Sequence, residues 1–296
     1  MTLKKSADYQ LIKPLGSGAF GTCDLYCHKD KLKTLVVIKK VPIKESEEES
    51  QKQMNEVELL KNCQHPFVIG FYEYFIEDGF INIVMQYAAG GSLASFLEKK
   101  KKTNEYLNDE AIIFYFTQMT MALDYLHKLN VVHCDLKPDN ILMNTSQRIL
   151  KLADFGISRV ASGAKFVESA SKAGTCHYIA PEIYIRSAYD KPMDIWALGC
   201  VLYELMEFEI AFSGPQSIAE LKIINASWTP PKIKRNPELM EILSKCLVPT
   251  VDSRAKTAEL LFMPPVLKTI AKLCTITDVR PGEGDDFDFL QHSNSC

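Results

Sequence analysis

His133-Cys134-Asp135-Leu136-Lys137-Pro138-Asp139-Asn140 packs an imidazole, two carboxylates, an ammonium and an amide into eight residues. Apolar runs flank it, Val131-Val132 before and Ile141-Leu142-Met143 after. Two buried anchors around a polar cluster read as an exposed loop on a rigid base. Such a loop presents Asp135, Lys137 and Asn140 together. Asp135 can orient or deprotonate a hydroxyl, Lys137 can neutralise a phosphate, and Asn140 can hold a hard cation through its amide oxygen. Fourteen residues after Asn140 stands Asp154-Phe155-Gly156, again behind an apolar segment, Ile149 to Ala153.

The bulk of the chain narrows the classes. Its 296 residues exceed one ordinary core and suit two lobes or one large domain. A hydrophobic content of 47% with 24% charged residues is that of a globular protein. The net charge of −3 argues against nucleic-acid binding. The nine cysteines form no CxxC pair, which disfavours a zinc or thioredoxin-like site and suggests reduced thiols inside a cell. The first residues, MTLKKSADYQ, lack the apolar stretch of a signal peptide, and no apolar run reaches the ~18 residues of a membrane span.

Outward from the loop, the N-terminal part reads as strands. Tyr9–Lys13 and Thr22–Cys27 alternate around Gly16-Ser17-Gly18-Ala19-Phe20-Gly21. Glycines there let backbone N–H groups approach phosphates. A dinucleotide-binding reading would need a helix straight after the glycines, and the alternation after Gly21 favours a strand. A plain Gly-rich hairpin is the other reading. Val36-Val37-Ile38-Lys39 closes a third strand, on which Lys39 is either a snorkelling surface residue or a buried ammonium with a partner. Ser46 to Glu49 reads as a capping box opening a helix with Met54, Val57 and Leu60 on its inner face. Glu56 beside that stripe is the candidate partner of Lys39, or one more solvated acid.

Residues 67–75 and 80–86 read as two further strands, and Gly90-Gly91 as a hinge. Lys99–Lys102 is a basic run expected in a loop. Asn108 caps a helix whose buried stripe is Ile112, Ile113, Phe116, Met119, Ala122, Leu123 and Leu126. Residues 157–178 are polar and aperiodic, as in a mobile loop. Apolar periodicity fades after Leu273. The tail rich in Pro, Gly and acids reads as disordered, with docking of Phe287, Phe289 and Leu290 on the domain as the alternative.

Taken in order, these motifs resemble those of eukaryotic protein kinases. HCDLKPDN is similar to the catalytic loop, DFG to the metal-binding loop, and GSGAFG to the phosphate-covering loop. VVIK is similar to the strand that carries the nucleotide-binding lysine. Ala180-Pro181-Glu182 and Asp194-Ile195-Trp196-Ala197-Leu198-Gly199 match two further family signatures, and Glu56 stands ten residues before Pro66, as the family's ion-pair glutamate does. Lys-Pro after Asp135 and Gly174-Thr175 before Ala180 resemble serine/threonine kinases. GTCHYIAPE and YDKPMDIWALGCVLYEL look most like the NIMA-related (NEK) group, whose usual GTPYYMSPE is altered here.

The resemblance covers about residues 9–273. It implies an α+β, bilobal protein-kinase-like fold with a small antiparallel β-sheet lobe (about 9–86), a hinge (about 86–91) and a larger, mainly helical lobe (about 92–273). Residues 1–8 are then an extension and 274–296 an acidic tail. It implies ATP with Mg²⁺ or Mn²⁺. Catalytic roles fall to Asp135, Lys137, Asn140, Lys39 and Glu56, and metal binding to Asn140 and Asp154. The nucleotide pocket would draw on Leu15, Gly16, Gly18, Gly21, Cys23, Val37, Lys39, Met85, Gln86, Tyr87, Ala88 and Leu142. Asp194 would brace the catalytic loop, and Arg254 would pair with Glu182.

Ser169 and Ser171 sit where the family carries activating phosphates. Arg159 and Lys52 are the available cations, because Cys134 replaces the family's Arg. Val37 for the usual Ala and Cys23 for the usual Val alter the adenine walls. Protein substrates, autophosphorylation in trans, a cytoplasmic and cytoskeleton-associated location and a role in the cell cycle, microtubules or cilia follow from the same likeness, with no nucleic-acid or membrane partner. The rivals are an inactive pseudokinase scaffold, favoured slightly by Cys134, Val37 and Cys23, and a small-molecule kinase, disfavoured by the Ala180 segment and Thr175.

Overall fold

The computed structural model describes residues 5–18, 21–29, 34–154, 176–186 and 190–277. The side chains of Lys52, Glu56, Arg186 and residues 275–277 lie outside that description. The chain divides into two compact units, the first running to Tyr87 and the second taking up at Ala88.

The first unit is a five-stranded antiparallel sheet in the order β1-β2-β3-β5-β4. Its strands are β1 (Tyr9–Gly18), β2 (Gly21–His28), β3 (Leu35–Pro42), β4 (Phe71–Glu77) and β5 (Phe80–Gln86). β-Branched and aromatic residues make up half or more of β3, β4 and β5 and suit a pleated, half-buried surface. One face packs Tyr9, Tyr26, Val36, Ile38, Phe75 and Val84 into a core cluster. Helix α1 (Glu47–Lys61) starts where the Ser46 hydroxyl accepts the N–H of Glu49, with Glu47, Glu48 and Glu49 in the first turn to suit the helix dipole. Val57 and Leu60 are buried as the stripe requires, and Met54 is half-buried.

One expected strand begins later than its sequence suggests. Residues 67–70 are a buried loop, and β4 starts only at Phe71. A turn closed by Val68 N–H on His65 O, with the His65 ring accepting the N–H of Phe67, takes these residues out of the ladder. Phe67, Val68 and Ile69 are nonetheless buried, so a continuous apolar run marks a core anchor here rather than a strand.

The second unit is mainly helical. It holds α2 (Leu93–Thr103), α3 (Asp109–Lys128), the short hairpin β6 (Ile141–Met143) and β7 (Leu150–Leu152), then α4 (Pro181–Arg186), α5 (Pro192–Glu207), α6 (Gln216–Ile224), α7 (Pro237–Cys246), α8 (Thr257–Leu261) and α9 (Pro264–Thr277). Asn108 caps α3 through Ala111 N–H at 2.8 Å, and all seven expected stripe residues are buried. α5 is buried on nearly every side, which its predominantly apolar composition demands. Its Trp196 stacks on Phe212 with ring centroids 5.2 Å apart.

Two local expectations are corrected. Lys99–Lys102 is not in a loop but forms the end of α2, where ammonium groups complement the helix C-terminus. Lys102 also pairs with Glu98 one turn earlier, and Asn104 ends the helix in the left-handed conformation at φ 55°. At the other end, α9 continues past Leu273 to Thr277. Among the described residues no helix is long and apolar enough to cross a membrane.

Candidate active site

The second unit assembles the polar loop from three directions. α3 ends at Lys128, and Asn130 in the left-handed conformation (φ 56°) turns the chain into buried Val131 and Val132. His133 follows, fully buried, and burial lowers its pKa, so it stays a neutral imidazole. Its Nδ1 accepts the N–H of Asp135 at 3.4 Å. It therefore shapes the loop.

Cys134 adopts φ 67°, a conformation that costs an L-residue about 1–2 kcal/mol. Asp194, 1% exposed on the first turn of α5, holds it there. One carboxylate oxygen accepts the N–H of Cys134 at 3.0 Å, and the other accepts the N–H of His133 at 2.8 Å. The same second oxygen meets His127 Nε2 at 2.8 Å. A buried carboxylate with three partners fixes the backbone immediately before Asp135.

Asp135 is held from its own loop. Lys137 Nζ donates to both of its carboxylate oxygens, at 3.1 and 2.9 Å. Asn140 Nδ2 donates to its Oδ2 and to its backbone carbonyl, both at 2.8 Å. With its side chain 21% exposed, Asp135 remains reachable by an incoming hydroxyl. The amide nitrogen of Asn140 faces Asp135, which directs the amide oxygen, a donor type suited to hard cations, elsewhere. The backbone of Asn140 accepts the N–H of Ala153 at 2.9 Å, so the exposed carboxylate of Asp154 follows immediately after a residue tied to Asn140. Among the described residues no set of three His, Cys, Asp or Glu is placed to hold a metal alone. A Mg²⁺ that arrives with phosphates needs only one or two protein oxygens, and Asn140 and Asp154 are oxygen donors of that kind.

Leu142 lies on β6, opposite Lys151 on β7. β6 is pinned by the glycines after β5: Gly90 N–H donates to Met143 O at 2.9 Å and Met143 N–H to Gly91 O at 2.8 Å. A Cβ on Gly90 would lie 2.0 Å from the carbonyl oxygen of Asn144. Gly90 thus serves close backbone packing in addition to the hinge role that its position suggests. Lys151 is 3% exposed, and burial pulls its pKa down to about 8.

The Ala180 segment is anchored in the same unit. Arg254 grips Glu182 with two hydrogen bonds of 2.7 and 2.8 Å and lies over the Trp196 ring. Tyr178 donates its hydroxyl to Glu204 at 2.6 Å, and burial raises the pKa of both groups.

The first unit carries the remaining candidates. Lys39 is buried at 5% exposure on β3, where it lies opposite Cys23 of β2 and Ile83 of β5. Cys23 also faces Gly16 across β1, and Val37 faces Met85. Leu15 is exposed, 43% of its surface being open. Gly18 pairs with Gly21, the latter at φ 134° with its missing Cβ 2.0 Å from Lys40 O. Gly21 is therefore demanded by its approach to β3. The N–H of Gln86 donates to Gly70 O at 2.8 Å, which engages it within the unit. The side chain of Glu56, and with it the expected pair to Lys39, lies outside the described residues, as do Ser169, Ser171, Arg159, Phe155, Gly156, Thr175 and the tail from 278.

Sequence reasoning missed several positioning residues. His127 completes the Asp194 set. Gln118, fully buried in α3, donates to Arg148 O at 3.0 Å and accepts from Leu150 N–H at 2.9 Å, and so braces the β6–β7 hairpin. Asn144 accepts the N–H groups of Arg148 and Ile149 at the tip of that hairpin. Gln53 joins α1 to the end of β3 through Pro42 O and Lys44 N–H. A polar residue on a buried helical stripe is the one available signal, and Gln53 and Gln118 both give it.

A β-sheet unit with a buried strand lysine and a helical unit with a braced Asp-Lys-Asn loop are the elements of a phosphotransferase. The protein kinase domain model matches residues 9–265. The chain is 37% identical over 287 residues to the serine/threonine-protein kinase nekl-2 of Caenorhabditis elegans, covering 94% of this chain and 80% of that protein. It is 35% identical to Nek8 of Danio rerio (90% of this chain, 38% of Nek8) and 32% identical to human Nek2 (90% and 61%). The chain belongs to the protein kinase family and, with these relatives, to its NEK-type serine/threonine kinases. It is an ATP-dependent protein serine/threonine kinase, whose substrates are proteins. It spans 80% of the worm kinase but only 38% of the zebrafish and 61% of the human relative.

Proposed function

We propose that the chain transfers the γ-phosphoryl group of ATP to Ser/Thr hydroxyls with Asp135 as the group that orients the hydroxyl and accepts its proton. The observation that carries this reading is the double grip of Lys137 and Asn140 on Asp135, on a backbone fixed by Asp194. As the hydroxyl oxygen bonds to phosphorus, its proton passes to Asp135 and the bond to the β-phosphate oxygen breaks. Lys137 neutralises charge on the transferring oxygens. Asn140 and Asp154 hold the Mg²⁺ or Mn²⁺ that accompanies ATP and shields its phosphates. Lys39, paired with Glu56, takes the α- and β-phosphates, and the Gly16–Gly21 loop covers them. Leu15, Cys23, Val37, Met85 and Leu142 make the adenine walls. Tyr87, Ala88 and the carbonyl of Gln86 supply backbone contacts, since the Gln86 N–H is engaged by Gly70.

The same reading extends to regulation and setting. Ser169 and Ser171 accept phosphate, in trans from another copy. The response to Ser171 phosphorylation is weak, because the thiol of Cys134 offers no cation to a phosphate. A role at microtubules, cilia or the cell cycle, in a cytoplasmic and cytoskeleton-associated pool, rests on the likeness to NEK kinases. The braced Asp135 favours turnover over an inactive scaffold. Asp154→Ala tests the assignment: Mg²⁺-dependent ATP binding, measured by calorimetry, should disappear. Unchanged Mg·ATP affinity would remove Asp154 from the site.

A further inference from the structure

The second unit contains a cavity of about 620 Å³ where the N-terminal ends of α3, α7 and α9 meet. It lies apart from the Asp135 loop, and the kinase chemistry makes no use of it. Phe114, Tyr115 and Pro265 give it an apolar wall, and Arg148, Lys268 and Lys272 place three exposed cations on it. Glu110 and Glu238 also line it, each in the first turn of its helix, where the dipole offsets part of their charge.

We infer that this cavity is the docking site of the chain's own segment Asp285-Asp286-Phe287-Asp288-Phe289-Leu290. The chemistry is complementary: the two phenyl rings of Phe287 and Phe289 for the apolar wall, and the carboxylates of Asp286 and Asp288 for the exposed cations. In an extended segment Phe287 and Phe289 fall on one face while Asp286 and Asp288 fall on the other, so rings can enter as carboxylates stay near the exposed cations. The connection also suffices. α9 contributes Pro265, Lys268, Thr269 and Lys272 to the cavity, one face at spacings of three and four. The described chain ends with α9 at Thr277, about 8 Å of helix rise beyond Lys272 and about 18 Å beyond Pro265. The seven residues 278–284 reach about 23 Å when extended, and they include the turn-forming pair Pro281-Gly282. The segment can therefore run back along α9. Docked there, it would bridge α9, α3 and Arg148 of the β6–β7 connection, and so brace the hairpin that leads to Asp154.

The test compares hydrogen exchange in the full chain, a chain ended at Thr277, and a full chain carrying Phe287→Ser with Phe289→Ser. A tethered segment experiences roughly 1 mM of itself. If the free peptide 281–292 binds with a Kd of about 100 μM, occupancy is about tenfold in favour of docking. Amides of residues 108–115 and 264–272 should then exchange about tenfold faster in both altered chains. Fluorescein-labelled peptide 281–292 should bind the shortened chain, bind the full chain about tenfold more weakly, and lose at least tenfold in affinity when Lys268→Glu and Lys272→Glu are combined. Both lysines are exposed, so those changes leave the fold intact. Equal exchange in all three chains would overturn the inference. So would equal peptide binding to full and shortened chains. Protection that rises with protein concentration, together with a dimer's mass, would overturn it in favour of a second copy's tail.

Discussion

Replacing Asp194 with Ala removes the carboxylate that receives His133 N–H, Cys134 N–H and His127 Nε2 at 2.8, 3.0 and 2.8 Å. The site is 1% exposed, so water does not readily replace it. Each buried polar group left unpaired costs about 1–3 kcal/mol. Three of them set a scale of roughly 3–9 kcal/mol, reduced as the loop relaxes. Cys134, released from φ 67°, recovers about 1–2 kcal/mol. The net expectation is a loss of about 3–5 kcal/mol. With a urea m-value of about 3 kcal/mol per M, the unfolding midpoint falls by roughly 1–1.7 M. Relaxation moves the backbone beside Asp135, and a displacement of about 1 Å lowers kcat by about 10²-fold. Lys39 and the glycine loop belong to the other unit, so the KM for ATP should change little. Urea unfolding followed by tryptophan fluorescence, with initial rates of phosphoryl transfer, checks both numbers. A midpoint within about 0.3 M of the parent and a kcat within threefold would refute the bracing role.

Two other expectations are narrower. Arg254→Ala strands Glu182 in a 7%-exposed site and should cost about 3–5 kcal/mol, whereas Glu182→Gln with Arg254→Met should recover much of it; a double-mutant cycle with no coupling would contradict the pair's role. Lys151 has its folded pKa lowered to about 8 from 10.5, so the unfolded chain binds more protons between these values and its contribution to stability rises with pH there. Lys151→Met should accordingly be more stable than the parent at pH 7, by up to about 3 kcal/mol, and the gap should shrink as pH rises from 8 to 10; a pH-independent gap would show that the buried ammonium is not the source.

Much of this fold and site was legible because its signals are local. The period of α3, the alternation of β1 and β2, and the Asp135–Lys137–Asn140 loop each lie within a few turns of chain. The likeness to kinases added the long-range partners Asp194 and Arg254. What stayed hidden depends on contacts that spacing does not encode. Gly90 has a further demand that spacing does not show: the carbonyl of Asn144 stands where its Cβ would be. His127, in the last turn of α3, gives no sequence signal for Asp194, 67 residues further on, yet its Nε2 meets that carboxylate at 2.8 Å. The apolar run 67–70 passes for a strand because burial alone, without a ladder, produces the same composition. Lys99–Lys102 reads as loop because four like charges in a row mask the helix end that they complement.

The central claim is that Asp135 carries the chemistry. Transfer of labelled γ-phosphate from Mg·ATP to a generic Ser/Thr protein substrate, measured for the parent chain and for Asp135→Asn side by side, tests it most directly. The parent should label the substrate at serine and threonine, and the variant should fall to background while still binding Mg·ATP. Equal labelling by both chains, or by neither while Mg·ATP remains bound, would contradict the account.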